Sequence, residues 1–197
     1  YYLEKSQNSH ILNRLNLKHR DYFIVSAHRE ENISSPTQLE KFKELLNNLA
    51  IDFDKKIIVT THPRTRKALE GYTFNTKIEL HKPFNLTDFI RLEMNAFVTL
   101  SDSGTISEES NILNFPALNI RETHERPEAM EEGAVIMTGI NYDIIKESLK
   151  VIESQNNFES ILNSVNDYLT PNVSEKVVRI ILSYTNYIKR KVYRQFI

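Results

Sequence analysis

The fold is decided by the stretch AFVTLSDSGTISEE, residues 96–109. Its first five residues, Ala96 to Leu100, form a short apolar run that predicts a buried strand. The polar turn from Ser101 to Thr105 follows without a linker and leads into a helix. A strand that passes directly into a helix is half of a βαβ unit, so this stretch predicts a parallel sheet.

The same alternation of short apolar runs and helical periods repeats along most of the chain. We therefore expect an α/β fold with a Rossmann-like, doubly wound parallel sheet of about six strands. Ligands of such sheets bind outside the carboxyl ends of the strands, and the polar clusters of this sequence fall there. The predicted strands are Tyr22–Ser26, Lys56–Thr61, Lys77–Leu80, Ala96–Leu100, Pro116–Ile120 and Ala134–Met137.

Helix starts are predicted from capping residues. Ser35 followed by Pro36 is typical of a helix N-terminus, and Pro83-Phe84 predicts the start of another helix. After about residue 140 the pattern is helical throughout, with Asn172 and Glu175 expected to cap the last helix. The chain is expected to be one domain, with a sheet region over about 20–140 and helices over about 141–197. The late helices are predicted over 142–153, over 158–169 and from about 173 onward.

The bulk properties exclude several classes of function. Hydrophobic residues make up 40% and charged residues 26%, which is ordinary for a globular domain. The formal net charge of -1 gives no basic footprint for nucleic acid or an anionic membrane surface. No cysteine is present, so disulfides and thiolate metal sites are excluded, and the six histidines have no metal-site spacing. The first residues resemble no signal peptide and lack an initiator Met, so we expect a cytoplasmic protein of which this chain is a fragment.

The strongest local signal for binding is the turn Ser103-Gly104-Thr105 before the helix that carries Glu109. Backbone N–H groups at a helix N-terminus favour an anion such as a diphosphate. A carboxylate nearly two turns further could accept hydrogen bonds from both hydroxyls of a ribose. Taken alone, the motif is more typical of a helix capped by Ser or Asp with a solvated Glu, and this simpler interpretation is favoured for an isolated SDSG turn.

Two further clusters follow predicted strands. Arg126 could reach the same phosphates, since a planar guanidinium suits oxyanions, although Pro127 and Glu128 after it are also ordinary helix-start residues. His28, at the end of the first strand, titrates near neutrality and could protonate or stabilise a leaving phosphate. A lone His is more often structural, and the case for His62 after the second strand is weaker still.

The four clusters together resemble one family. SAHREEN (26–32), THPR (61–64), SDSGTISEE (101–109) and ERPEAMEEG (125–133) are similar to the C-terminal domain of non-hydrolysing UDP-N-acetylglucosamine 2-epimerases, which have a two-domain GT-B-type fold. The match spans about Asp21 to Gly139. HREEN, ERPEAMEE and NILNFPALNIRE resemble most the capsule-pathway subgroup that forms UDP-N-acetyl-L-fucosamine from its talose epimer. Glu30 and Thr105 depart from the wider family, where many members have Arg and Gly.

The resemblance implies a reaction without nicotinamide, metal or other cofactor. UDP is eliminated from the sugar to leave a glycal, and it adds back after protonation of C2 from the opposite face. The proton-transferring carboxylates lie in the N-terminal domain of the family, which this chain lacks, so the fragment is expected not to epimerise. The implied partners are UDP, a UDP-N-acetylhexosamine, the protein's own N-terminal domain and a second subunit in a homodimer, with no nucleic acid and no membrane.

The resemblance also implies roles for individual residues. His28 contacts the diphosphate or the reacting sugar, Glu109 holds the ribose, Arg126 contacts the nucleotide-sugar, and Phe89 packs near the uracil. On the sequence alone Phe89 is equally typical of an ordinary core residue. The implied phosphate cradle is Ser103, Gly104 and Thr105, and further candidates are Arg29, beside His28, and His62, which matches an effector site of UDP-N-acetylglucosamine epimerases.

Three other functions stay open at this point. A UDP-sugar glycosyltransferase of GT-B architecture shares the Glu on a ribose and the helix N-terminus on a diphosphate. A hydrolysing 2-epimerase would release UDP irreversibly. A non-catalytic nucleotide-binding module is the third alternative, and the intact HREEN and SDSG motifs argue against it.

Overall fold

The structure, a computed structural model, describes residues 2–28, 35–123, 125–155 and 165–195. Its centre is a six-stranded sheet in which every pair of neighbours is parallel, in the order β3-β2-β1-β4-β5-β6. This is the strand order of a doubly wound sheet of the dinucleotide-binding type. The predicted Rossmann-like α/β class is therefore confirmed. The strands are β1 Tyr22–Ser26, β2 Lys56–Thr60, β3 Ile78–His81, β4 Val98–Ser101, β5 Ala117–Asn119 and β6 Ile136–Met137.

Helices precede, connect and follow the strands. Ser35 begins the longest helix of the sheet region, where its side chain accepts a hydrogen bond from the Gln38 N–H and Pro36 holds the first helical position, as predicted. The described helices of this region are α1 Leu3–Gln7, α2 Ile11–Arg14, α3 Pro36–Asp52, α4 Pro63–Ala68, α5 Leu86–Asn95, α6 Ile106–Leu113, α7 Pro127–Glu131 and α8 Tyr142–Ser154.

The sheet buries both of its faces. Along β1, Phe23 and Val25 pack into one cluster with the apolar side of α3 and α8, whereas Tyr22 and Ile24 pack into a second cluster with α2 and α5. Successive side chains of a strand point to opposite faces, so this division means that helices cover the sheet on both sides. All five apolar residues predicted for the buried side of α3 lie in the first cluster: Leu39, Phe42, Leu45, Leu46 and Leu49.

One predicted helix start is wrong. The helix predicted from Pro83-Phe84 begins at Leu86, because the Asn85 side chain accepts a hydrogen bond from the Asp88 N–H and so caps the helix there. Asp88 is itself buried and accepts hydrogen bonds from Ser9 and, at 2.8 Å, from Arg14. This carboxylate ties the segment of α1 and α2, for which the sequence pattern gives no prediction, to α5.

The chain divides into two compact units, Tyr1–Val165 and Asn166–Ile197. The second contains α9 Asn166–Leu169 and α10 Val173–Lys191. Asn172 precedes α10 in the left-handed conformation, with φ 61° and no side-chain capping hydrogen bond, so the predicted Asn172 and Glu175 capping pair is wrong. Most of the helix predicted over 158–169 lies outside the described residues. Within the described parts, no helix is both long and apolar enough to cross a bilayer.

Candidate functional site

A cleft of about 360 Å³ opens at the carboxyl ends of the central strands. Ser26, which ends β1, lies between Thr60 of β2 and Ser101 of β4. The chain winds from β1 to β2 and β3 on one side and to β4, β5 and β6 on the other, so the cleft lies at the switch point of the sheet, where ligands of doubly wound folds bind. It is lined by Ser26, His28, Thr60, Pro83, Phe84, Leu86, Phe89, Ser101, Ser103 and Glu109.

His28 is fixed in the cleft by its main chain and its ring. The backbone N–H donates to both carboxylate oxygens of the buried Asp102, at 3.1 and 2.9 Å, and the Asp102 N–H donates to the Ser26 carbonyl at 3.1 Å. The ring Nε2 lies 3.0 Å from Ser26 Oγ. Asp102 therefore ties the segment after β1 to the segment after β4.

The electrostatic surroundings favour the neutral form of the His28 imidazole. Desolvation by the neighbouring protein atoms lowers the pKa of His28 below 6.5, and the negative charge of Asp102 opposes that effect only in part. The His62 ring, with its centroid 6.5 Å away, lowers the pKa further. A neutral imidazole at neutral pH can both accept and donate a hydrogen bond, which suits a group that faces a ligand oxygen.

The helix α6 brings a turn of hydroxyl groups and a carboxylate to the same cleft. Ser103 Oγ lies 2.9 Å from Thr105 Oγ1, and the Thr105 hydroxyl donates to Glu109 Oε1 at 2.8 Å. Thr105 is the N-cap residue, but its side chain makes no capping bond. The first amides of the helix therefore point their positive ends to the region beside Ser103, as an anion would require.

Glu109 sits next to a second carboxyl group. Burial raises the pKa of Glu109, and the hydrogen bond from Thr105 counteracts this. Glu93 of α5 faces Glu109 with its carboxyl group, and burial raises the pKa of Glu93 well above the usual range of a Glu. Two carboxyl groups in contact can both lie there when they share a proton.

Phe89 forms the apolar wall of the cleft together with Phe84, Pro83 and Leu86. Phe89 is half-buried, and its ring also packs against the cluster that contains Tyr22, Ile24 and Leu92. The two interpretations of this residue are therefore compatible, because one face of the side chain belongs to the core while another borders the cleft. An apolar wall opposite hydroxyl and carboxylate groups can take up a flat, polar-edged ring.

Comparison with known proteins identifies the family. The model of the UDP-N-acetylglucosamine 2-epimerase family matches residues 1–182. The chain belongs to this family. A UDP-N-acetylglucosamine 2-epimerase of Methanocaldococcus jannaschii is 33% identical over 173 residues, which are 85% of this chain and 46% of that protein.

Solved structures of epimerases have the same fold. The UDP-N-acetylglucosamine 2-epimerase of Rickettsia bellii superposes with a TM-score of 0.83 at 39% identity, covering 98% of this chain and 53% of that one. The Methanocaldococcus jannaschii enzyme in complex with UDP-GlcNAc and UDP superposes with a TM-score of 0.72 at 29% identity, covering 92% of this chain and 51% of that one. The chain thus spans about half the length of the epimerases it matches.

The cleft contains four of the residues singled out from the sequence, and the others lie outside its lining. His28, Ser103, Glu109 and Phe89 border it. Gly104 and Thr105 belong to the same turn as Ser103 but do not line the cleft, and the Thr105 hydroxyl contacts the lining residues Ser103 and Glu109.

The remaining candidates lie beside the cleft or outside the described residues. Arg126 Nε donates to Glu108 Oε1 at 2.6 Å, which places the guanidinium against α6 rather than in the lining. His62 caps α4, where its Nδ1 accepts from the Arg64 N–H at 3.4 Å, and its ring faces that of His28. Arg29 lies outside the described residues.

Sequence reasoning missed Asp102 and Glu93. Asp102 lies in the SDSG motif, but the motif does not reveal that its carboxylate holds the backbone of His28. Glu93 follows Phe89 by four residues, so both share one side of α5. A Glu in line with a site-lining Phe was the available signal. Among the described residues, no group of three or more His, Cys, Asp or Glu side chains could hold a metal ion.

Proposed function

We propose that this chain is the C-terminal, UDP-binding domain of a UDP-N-acetylhexosamine 2-epimerase. The observation that carries the proposal is the meeting of His28, Ser103, Glu109 and Phe89 in one cleft at the switch point of the sheet. The family match supports epimerisation, and the solved complex with UDP-GlcNAc and UDP supports a nucleotide-sugar ligand. The sheet and its flanking helices, including α8, form the UDP-binding domain, and the N-terminal domain completes the active site.

Each part of UDP has a chemical counterpart in the cleft. The uracil packs on the apolar wall of Phe89, and the two ribose hydroxyls donate to the Glu109 carboxylate. The diphosphate lies at the N-terminus of α6, on the first amides of the helix and on the turn Ser103-Gly104-Thr105, which offers the Gly104 N–H and two hydroxyls. The N–H groups of Ser103 and Thr105 already donate to Ser101 Oγ and Ser103 Oγ. Arg126 is close enough to α6 to contribute to the nucleotide-sugar when Glu108 releases it, and His28 faces the oxygen that leaves C1 of the sugar.

The proposed reaction is an elimination of UDP from the sugar, followed by its addition to the resulting double bond. A base takes the proton from C2, the electron pair forms the C1–C2 double bond, and the C1–O bond breaks to release UDP. A proton is then delivered to the opposite face of C2 while UDP oxygen attacks C1. His28 stabilises the UDP oxygen in both directions, and the proton transfers at C2 belong to the N-terminal domain.

The sugar is proposed from the motifs. One candidate reaction is the interconversion of UDP-GlcNAc and UDP-ManNAc by epimerases of this family. The motifs HREEN and ERPEAMEE favour instead the capsule-pathway subgroup, which converts UDP-2-acetamido-2,6-dideoxy-L-talose to UDP-N-acetyl-L-fucosamine. The lining residues that face the nucleotide are compatible with both. The enzyme works without a cofactor, as a cytoplasmic homodimer.

The decisive test measures exchange at C2. The full-length protein is incubated in D2O with each UDP-sugar and no acceptor, and NMR follows the C2 proton. An epimerase incorporates deuterium and forms the C2 epimer, whereas a glycosyltransferase does neither and a hydrolysing epimerase accumulates free UDP. The 197-residue chain alone is expected to bind UDP and to leave C2 unexchanged.

The binding site itself is tested by calorimetry with UDP. Glu109→Gln removes the charge that the ribose hydroxyls meet, at about 1.5–3 kcal/mol for a hydrogen bond to a charged group, so UDP affinity should fall about 10- to 100-fold. Glu44→Gln, the same change at an exposed position of α3, is the matched control and should bind like the wild type. Equal affinities of both variants would refute the assignment of the ribose to Glu109.

A further inference from the structure

Glu93 is a buried carboxyl group without an evident structural task. It lies on α5 with 1% of its surface exposed. Within the described part of the chain, neither of its oxygens receives a hydrogen bond from an amide, hydroxyl or cationic group. A carboxyl group in that position costs free energy unless something compensates it, so an apolar residue would fill the same space more cheaply.

The group that faces Glu93 is the carboxyl of Glu109, reached across from α6. The other charged or titratable neighbours are Tyr22 of β1, on which Glu93 and Arg91 act electrostatically, and Glu108, which acts on Glu109. The Tyr22 hydroxyl is occupied with the Leu92 carbonyl at 2.6 Å. Glu109 is therefore the hydrogen-bonding partner that remains for Glu93.

The surroundings of Glu93 and Glu109 differ in how well they tolerate a negative charge. Glu93 is fully buried, whereas Glu109 borders the open cleft and accepts a hydrogen bond from Thr105 at 2.8 Å. Burial disfavours the charged form more strongly at the deeper site, while the donor at Glu109 favours its charge. The pair then carries one negative charge, on Glu109, and one O–H donor, on Glu93.

We propose that Glu93 is a positioning residue that, as a neutral acid, donates a hydrogen bond to Glu109 and holds this carboxylate ready for the ribose. The inference rests on the proposed function of Glu109. A carboxylate offers about four lone-pair positions on two oxygens. Thr105 and Glu93 occupy one each, so two remain, which is the number that the vicinal hydroxyls of a ribose require.

The test compares two substitutions at Glu93 in the 197-residue chain. Glu93→Gln keeps a donor, because its amide N–H₂ replaces the acid O–H, and should bind UDP within about twofold of the wild type. Glu93→Leu keeps the volume but removes the donor, and should weaken UDP binding about tenfold, the effect of one hydrogen bond to a charged group. Glu44→Gln controls for the loss of a carboxyl group.

A second ligand separates positioning from a general structural effect. UDP that lacks both ribose hydroxyls, 2′,3′-dideoxy-UDP, cannot use Glu109, so its affinity should be the same for the wild type and for Glu93→Leu. If Glu93→Leu weakened both ligands equally, or neither, or if Glu93→Gln were as weak as Glu93→Leu, the positioning role would be overturned.

A measurement without nucleotide tests the Glu93–Glu109 pair separately from the proposed function. Failure of the wild type to bind UDP would refute the proposed function but would leave this measurement valid. With glutamate labelled by ¹³C at the carboxyl carbon, one signal of the wild type should keep its protonated shift at pH values where ordinary Glu carboxyl groups are ionised, and it should disappear in Glu93→Gln. Ionisation of every Glu carboxyl at its ordinary pH would overturn the inference about Glu93 by itself.

Discussion

The tie between Asp102 and His28 allows a quantitative prediction. Asp102→Ala removes a buried carboxylate whose two oxygens accept the His28 N–H at 3.1 and 2.9 Å. Asp102→Asn keeps the shape and one acceptor but removes the charge. Both substitutions leave the hydrogen bond from the residue 102 N–H to the Ser26 carbonyl intact, because that bond belongs to the main chain.

The expected magnitudes follow from the kind of hydrogen bond that is lost. A hydrogen bond to a charged group contributes about 1.5–3 kcal/mol net, and a neutral one about half as much. Asp102→Asn should therefore lower the free energy of unfolding by about 1 kcal/mol. Asp102→Ala loses the bond and leaves a small cavity, so about 2–3 kcal/mol is expected.

The two effects are measured by urea denaturation and by the titration of His28. The charge of Asp102 raises the pKa of His28, so Asp102→Asn should shift that pKa further below its usual value, as followed by ¹H–¹⁵N NMR of the ring. Both substitutions should also weaken UDP, since His28 is no longer held at the cleft. An unchanged urea midpoint together with an unchanged His28 titration would refute the role of Asp102 in holding His28.

The remaining predictions concern the core, a helix cap and pH. Phe42→Ala, at a fully buried position of α3, should lower the free energy of unfolding by about 3–5 kcal/mol in urea melts, whereas Lys41→Ala beside it, on the exposed side, should change it by less than about 0.5 kcal/mol. Ser35→Ala removes the acceptor for the Gln38 N–H and should lower the free energy of unfolding by about 1 kcal/mol in the same assay. An unchanged free energy of unfolding would contradict the capping role of Ser35. Because the folded-state pKa of Glu93 is raised, its contribution to stability is complete below the ordinary pKa of a Glu and is lost as pH rises through the folded-state pKa. Over this pH range the urea midpoint of the wild type should therefore fall relative to that of Glu93→Gln. Parallel pH profiles of the two proteins would contradict a protonated Glu93.

The architecture was accessible from the sequence because strands buried on both faces leave continuous apolar runs. Tyr22–Ser26 was predicted to the residue, and the predicted strand over residues 134–137 shortens to Ile136–Met137. β6 pairs only with β5, which itself contains three residues, and just two register positions join them. The length of an edge strand depends on how many residues its neighbour offers for pairing. Ala134 and Val135 are hydrophobic, but hydrophobicity alone does not show whether a residue pairs with a neighbouring strand.

The site was accessible only where its residues follow strands directly. His28 and Ser103 come within two residues of β1 and β4, so the sheet rule predicts their position at the edge of the sheet where the cleft lies. Arg126 could not be placed in this way, because its partner Glu108 is eighteen residues earlier in the chain. Glu93 was missed for a related reason. Its spacing from Phe89 places both residues on one side of α5, but a helical pattern normally assigns a Glu to the surface and does not show that this one faces Glu109.

The charges around the cleft explain why a shared proton matters for function. A chain with a net charge of -1 offers no general attraction to a diphosphate, and three carboxyl groups, Glu93, Glu108 and Glu109, lie along α5 and α6. Two unit charges about 4 Å apart, as in two carboxylates in contact, repel by about 4 kcal/mol at an effective dielectric constant of 20. Glu108 is balanced by Arg126, and Glu93 is neutral when it holds the proton. Only the Glu109 charge then faces the nucleotide, and the ribose hydroxyls are the part of the ligand that can use it. Ionisation of Glu93 would place a second negative charge next to that of Glu109. The repulsion should turn the Glu109 side chain away from its position in the cleft and lower the affinity for UDP at the same time.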